Sequence, residues 1–87
     1  MYLIVVYDAD VKRVNKVNKF LKLFLHWRQN SVFEGEVTLS QFKRLKSGLE
    51  DIVDEEVDSI LIYKLPDKKN FELQVIGIEK NPIELIL

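Results

Sequence analysis

Tyr2-Leu3-Ile4-Val5-Val6-Tyr7-Asp8 is an unbroken apolar and aromatic run closed by one carboxylate. A run this short, without polar alternation, reads as a strand buried on both faces and therefore central in its sheet. Working outward, Asp10 can cap a helix over 11–25, whose apolar positions Val14, Val17, Leu21, Phe24 and Leu25 follow helical spacing. Residues 26–33 read as a second strand, Gly35 as a bend or bulge, and Glu36-Val37 as a short third strand. Thr38 with Gln41 makes a capping box, and Val37 with Phe42 makes the accompanying hydrophobic staple. The helix that follows buries Phe42, Leu45, Leu49, Ile52 and Val53 and ends near Asp54. Residues 59–65 give a fourth strand, 66–70 a loop and 71–78 a fifth strand. Asn81-Pro82 is a turn before the tail at 83–87.

The order βαββαβ with an added strand predicts an α+β, ferredoxin-like sandwich with both helices on one face of an antiparallel sheet. The whole chain, 1–87, is expected to be one domain, with a core over 1–66. Residues 67–87 are expected to cross to another subunit. The bare sheet face and the apolar tail Leu85-Ile86-Leu87 would be association-prone on a monomer. A homodimer packed sheet to sheet covers both.

At 87 residues a single core is marginal, and association is a common remedy. Apolar residues at 47% and charged residues at 31% exclude a disordered chain. There is no cysteine, so disulfides and thiolate metal sites are excluded. The apolar start is too short for a signal peptide or a membrane span, and a cytoplasmic location is expected. The net charge of −1 hides an asymmetry: between Val11 and Phe33 the chain has Lys12, Arg13, Lys16, Lys19, Lys22 and Arg28 and no acid. Glu50, Asp51, Asp54, Glu55, Glu56 and Asp58 restore the balance, which suggests two faces of opposite sign.

Asp8 is the principal candidate for chemistry, because the end of a central strand lies on the rim of the sheet. Mg²⁺ takes one or two carboxylates together with substrate phosphate oxygens, so one Asp8 is a poor site alone. A two-fold axis near this strand end would bring two Asp8 side chains together, and such a pair favours a cation between them. Asp10 is better suited to capping the helix, and Tyr7, on the opposite face from Asp8, to the core. The lysines opposite the apolar stripe repel one another at the spacing that usually holds salt bridges. An anion relieves that repulsion, so Lys12, Arg13, Lys16, Lys19 and Arg28 are candidate nucleic-acid contacts of the salt-sensitive, weakly sequence-selective kind. His26 has no nucleophile or second histidine beside it. Trp27 and Phe33 fit the core better than base stacking, and the acidic run at 50–58 reads as a solvated face.

Tyr2 to Asp8, the run Gln29-x-Ser31-Val32-Phe33-Glu34-Gly35, and Asp58-x-Ile60-x-Ile62-Tyr63 resemble the CRISPR-associated protein two family, over roughly residues 2–78. The resemblance implies a ferredoxin-like homodimer whose C-terminal strands cross between subunits. It also implies a Mg²⁺-dependent endonuclease acting on single-stranded RNA or, in some members, double-stranded DNA. Members partner the CRISPR integrase and hold the prespacer duplex during spacer acquisition. The family's metal-binding acid maps onto Asp8, and Ser31, Phe33 and Gly35 fall in its structural motif. Where the family commonly has a basic residue before the glutamine, this chain has Trp27, with Arg28 one place later. The expected function is thus a metal-dependent endonuclease of CRISPR adaptation with Asp8 as its catalytic acid. The alternative is a non-catalytic dimeric scaffold that binds prespacer DNA and bridges integrase dimers. A weaker third reading is a small metabolite-binding regulatory module.

Overall fold

In the computed structural model, which describes residues 1–67 and 72–81, six elements follow one another. These are β1 (Tyr2–Asp8), α1 (Val11–Leu21), β2 (His26–Gln29), β3 (Val32–Glu36), α2 (Leu39–Ile52) and β4 (Ser59–Leu65). The sheet order is β2-β3-β1-β4, and every neighbouring pair is antiparallel. β1 is thus interior, as its unbroken apolar run requires, with β3 on one side and β4 on the other. Alternation along β1 sends Leu3, Val5 and Tyr7 toward the helices, where they pack with Val17 and Leu21 of α1 and Leu45 and Leu49 of α2. Phe33 of β3 is wholly buried in the same cluster.

The helices begin where the side-chain chemistry places them. Asp10 accepts the Lys12 N–H at 3.1 Å, satisfying one orphan donor at the start of α1. Thr38 and Gln41 exchange both capping-box bonds, at 2.8 and 3.1 Å. The helices cross closely at Gly48, where any Cβ would lie 2.1 Å from the tip of the Phe20 ring. Among the described residues no helix is long and apolar enough to cross a membrane.

Three sequence expectations need correction. The first helix ends at Leu21 rather than 25, because the Leu23 and Phe24 N–H groups bond back only three residues, to Phe20 and Leu21, and this tightening leads the chain into β2. The single strand expected over 26–33 is a hairpin, β2 and β3, reversed at Asn30-Ser31. Asn30 takes a left-handed backbone with φ 41°, which asparagine tolerates better than most residues. Gly35 neither bends nor bulges the chain. It pairs with Leu3 inside β3, and a Cβ there would press on Leu25 Cδ2 at 3.3 Å. The irregularity lies instead between Trp27 and Gln29 of β2.

The strand expected over 71–78 is one that pairs with a second subunit. Residues 72–78 form no ladder within this chain; Phe71, and the tail at 82–87 with Pro82 of the expected turn, lie outside the described residues. Leu73 to Lys80 line a shallow cavity together with Ile4, Val32 and Glu34 on the sheet face turned away from the helices.

Candidate functional site

Two clusters of charge organise this molecule, one at each end of its functional question. The first surrounds Asp8. The last rung of the β1–β4 ladder pairs Asp8 with Ser59, and the Asp8 side chain emerges exposed at the rim. No hydrogen bond or ion pair engages its carboxylate among the described residues, so it is available to an incoming group. Two residues on, the Asp10 N–H donates to Asp58 Oδ1 at 2.8 Å. Arg13, in the first turn of α1, grips the same carboxylate through Nε at 2.6 Å and a terminal nitrogen at 3.1 Å. The Asp54 N–H completes the set at 2.9 Å. The Asp58 side chain is fully buried. Arg13 foremost, then the backbone donors, hold its carboxyl well below the usual carboxylate range, and the Arg13 guanidinium is raised in turn by Asp58.

Asp58 is therefore not part of a solvated acidic face. The acidic segment and the basic helix meet at the Arg13–Asp58 pair, close to Asp8, rather than lying on separate faces. A long-range partner, 45 residues away in the chain, decides this, and no local pattern carries that information. Lys12, Lys16, Lys19 and Lys22 are all exposed, and none is in an ion pair among the described residues. They form a free row of point charges beginning just beyond Asp8.

The second cluster lies on the opposite sheet face. Arg28 is only 9% exposed, and its Nε meets Glu34 of β3 at 2.7 Å. Its two terminal nitrogens donate to Glu79 at 2.6 Å and to the Asn81 carbonyl at 2.9 Å. Asn81 also donates its side-chain amide to the Trp27 carbonyl, and its own carbonyl lies 3.4 Å from His26 Nε2. Tyr2 is buried beside Glu34; burial first, and then the Glu34 charge, push its hydroxyl above its ordinary value. Arg28, expected at the nucleic acid, is thus buried here as an anchor for residues 79–81. Its charge is committed because strand alternation turns it to the Glu34 face.

The remaining motif residues are structural. Phe33 is at the centre of the core, and the Ser31 carbonyl accepts the Tyr7 N–H at 3.1 Å. Trp27 is half-buried, with its indole N–H on the Asn30 carbonyl at 2.9 Å. Among the described residues no three His, Asp or Glu side chains converge as a metal cage.

The profile of the family described as CRISPR associated protein Cas2 matches residues 1–73. The chain belongs to the Cas2 family. It is 60% identical, over the full length of both chains, to a protein of Pyrococcus furiosus named CRISPR-associated endoribonuclease Cas2. A protein of the same name from Thermococcus kodakarensis is 58% identical, again over both full lengths. Among solved structures, a crystal structure of Cas2 superposes with a TM-score of 0.87 at 55% identity, covering 100% of this chain and 98% of the other. Streptococcus pyogenes Cas2, solved at pH 6.5, gives 0.78 at 34% identity, over 88% of this chain and 100% of the other. The antiparallel four-stranded sheet and two helices are therefore those of Cas2, and at the Asp8 rim of that fold this chain exposes an acid without a partner among the described residues.

Proposed function

We propose that this Cas2-family chain is a homodimeric, Mg²⁺-dependent endonuclease of CRISPR adaptation, hydrolysing phosphodiester bonds of single-stranded RNA or double-stranded DNA alongside the CRISPR integrase. The observation that carries the reading is the uncommitted Asp8 carboxylate at the end of the central strand, beside a helix whose exposed lysines face no acid. The endoribonuclease name of relatives up to 60% identical supports it.

The donor set fits Mg²⁺ as part of a site. One exposed carboxylate supplies a hard oxygen, and water, substrate phosphate or Asp8 of a second copy must supply the rest. When bound, the ion would activate water and polarise the phosphodiester. The chain's own groups do the positioning: Asp8 offers the anionic ligand, and Lys12, Lys16 and Lys19 neutralise backbone phosphates along α1 without reading bases. The dimer is supported by apolar side chains left in solvent on and around the outer sheet face: Leu61, Tyr63, Leu73, Val75, Ile76 and Ile78.

Asp8→Asn tests the reading in its native size and shape. Cleavage of a labelled RNA in MgCl₂ should be abolished while sedimentation still shows a dimer. Undiminished cleavage removes Asp8 from the mechanism. The row of exposed lysines on α1, suited to backbone contact without chemistry, favours a second reading, in which the protein is a scaffold for prespacer DNA and integrase. The same variant separates the two, since a scaffold keeps supporting spacer integration.

A further inference from the structure

Because nothing bonds to the Asp8 carboxylate among the described residues, its direction depends on the backbone that carries it. On one side that backbone is fixed by the rung to Ser59. On the other, beyond Ala9, Asp10 is tied to the start of α1 through its carbonyl, and its N–H is held by Asp58 at 2.8 Å. The Asp58 carboxylate gathers three segments: the turn after β1, the first turn of α1 through Arg13, and the loop before β4 through Asp54.

We propose that Arg13 and Asp58 form a clasp that aims Asp8, and that Arg13 is a positioning residue rather than a phosphate contact. Arg13 spends two donors on a carboxylate with no solvent exposure, at 2.6 and 3.1 Å. To reach a phosphate it would have to leave that carboxylate buried without its cation, an arrangement proteins avoid. The exposed lysines beside it carry no such obligation. Misaiming a reacting group by about 1 Å can lower a rate by ~100-fold, so a clasp two residues away bears directly on turnover.

The inference rests on the Asp8 reading above, and the test keeps the two apart. Arg13→Gln, Arg13→Lys and Asp58→Asn are compared with Lys16→Gln and Asp8→Asn in the full chain. Three quantities are read: exchange of the Asp10 amide in metal-free protein, the salt slope of binding to a single-stranded oligoribonucleotide, and the MgCl₂ concentration for half-maximal cleavage. In Arg13→Gln the Asp10 amide should exchange faster while amides of central β1 stay protected. The half-maximal MgCl₂ should rise ~10-fold or more, and the salt slope should stay unchanged. Lys16→Gln should lower that slope by about 0.7, the mark of one lost phosphate contact on a single strand. Should Arg13→Gln lower the slope equally and leave Asp10 exchange alone, Arg13 is a phosphate contact and the clasp is overturned. Faster exchange with an unchanged magnesium requirement would leave the clasp structural only, which also overturns the positioning role. Arg13→Lys, with one nitrogen in place of a two-nitrogen fork, should fall between wild type and Arg13→Gln, and Asp58→Asn gives the same readings if Arg13→Gln does not fold. Cleavage by Asp8→Asn would show the failure of the underlying reading instead, whatever Arg13→Gln does.

Discussion

Removing Arg28 should destabilise this protein strongly, and the reason lies in what remains behind. Arg28→Ala leaves the Glu34 carboxylate, only 7% exposed, without its cation. Breaking a buried pair by deleting one partner typically costs about 3–5 kcal/mol. For a domain of this size each kcal/mol lowers Tm by about 4–8 °C, so a fall of roughly 12–40 °C is expected. Arg28→Lys should be intermediate, because one ammonium cannot serve Glu34, Glu79 and the Asn81 carbonyl together. The paired change Arg28→Met with Glu34→Gln should recover most of the loss. It removes both charges and keeps an acceptor for the Tyr2 hydroxyl, which hydrogen-bonds Glu34. Urea and thermal unfolding, run at one protein concentration to hold any association constant, measure all three. A loss below about 1 kcal/mol for Arg28→Ala would refute the reasoning, for it would place the pair in the class of solvent-screened surface salt bridges.

Three further predictions follow from the geometry. Changing Lys12, Lys16 and Lys19 together to Gln should reduce the salt slope of single-strand binding by about 2, with no change in fold by circular dichroism. Asp58 has its folded-state pKa depressed, so its contribution is fully present above the carboxylate's unfolded pKa and is lost as pH falls below about 4 toward the lower folded value. Asp58→Asn should therefore flatten the acid limb of stability against pH, measured from neutrality down through that range. Thr38→Ala removes the cap that accepts the Gln41 N–H at 3.1 Å and should cost about 1 kcal/mol in urea unfolding, with no effect on nucleic-acid affinity.

Much of the architecture can be read without coordinates because its signals are local. The run at 2–8, the Thr38–Gln41 box and the strand at 59–65 each declare themselves within a few residues, and each stands where its spacing puts it. The hairpin at Asn30-Ser31 does not, since neither a glycine nor a proline marks the reversal and the left-handed asparagine makes it alone. The same limit hid Arg28 and Asp58. Arg28 looked like one more cation in an acid-free stretch, but its partners Glu34 and Glu79 arrive from β3 and from 51 residues downstream. Asp58 looked like one more acid in a run, but its role comes from Asp10 and Arg13. Asp8 was legible because a strand end is a local feature. What holds Asp8 in place was not.

The pairing of Tyr2 with Leu65 has a consequence for how the chain is born. β1 is the strand that both its neighbours pair with, yet β4 follows it only after both helices and the β2–β3 hairpin. Loops that long close slowly, and their entropy must be met before the contacts reward it. During translation β1 can meet the 26–36 hairpin before residues 59–65 exist, so one of its edges waits on β4. A construction order of this kind makes the nascent chain, rather than the finished molecule, the form most exposed to misassembly.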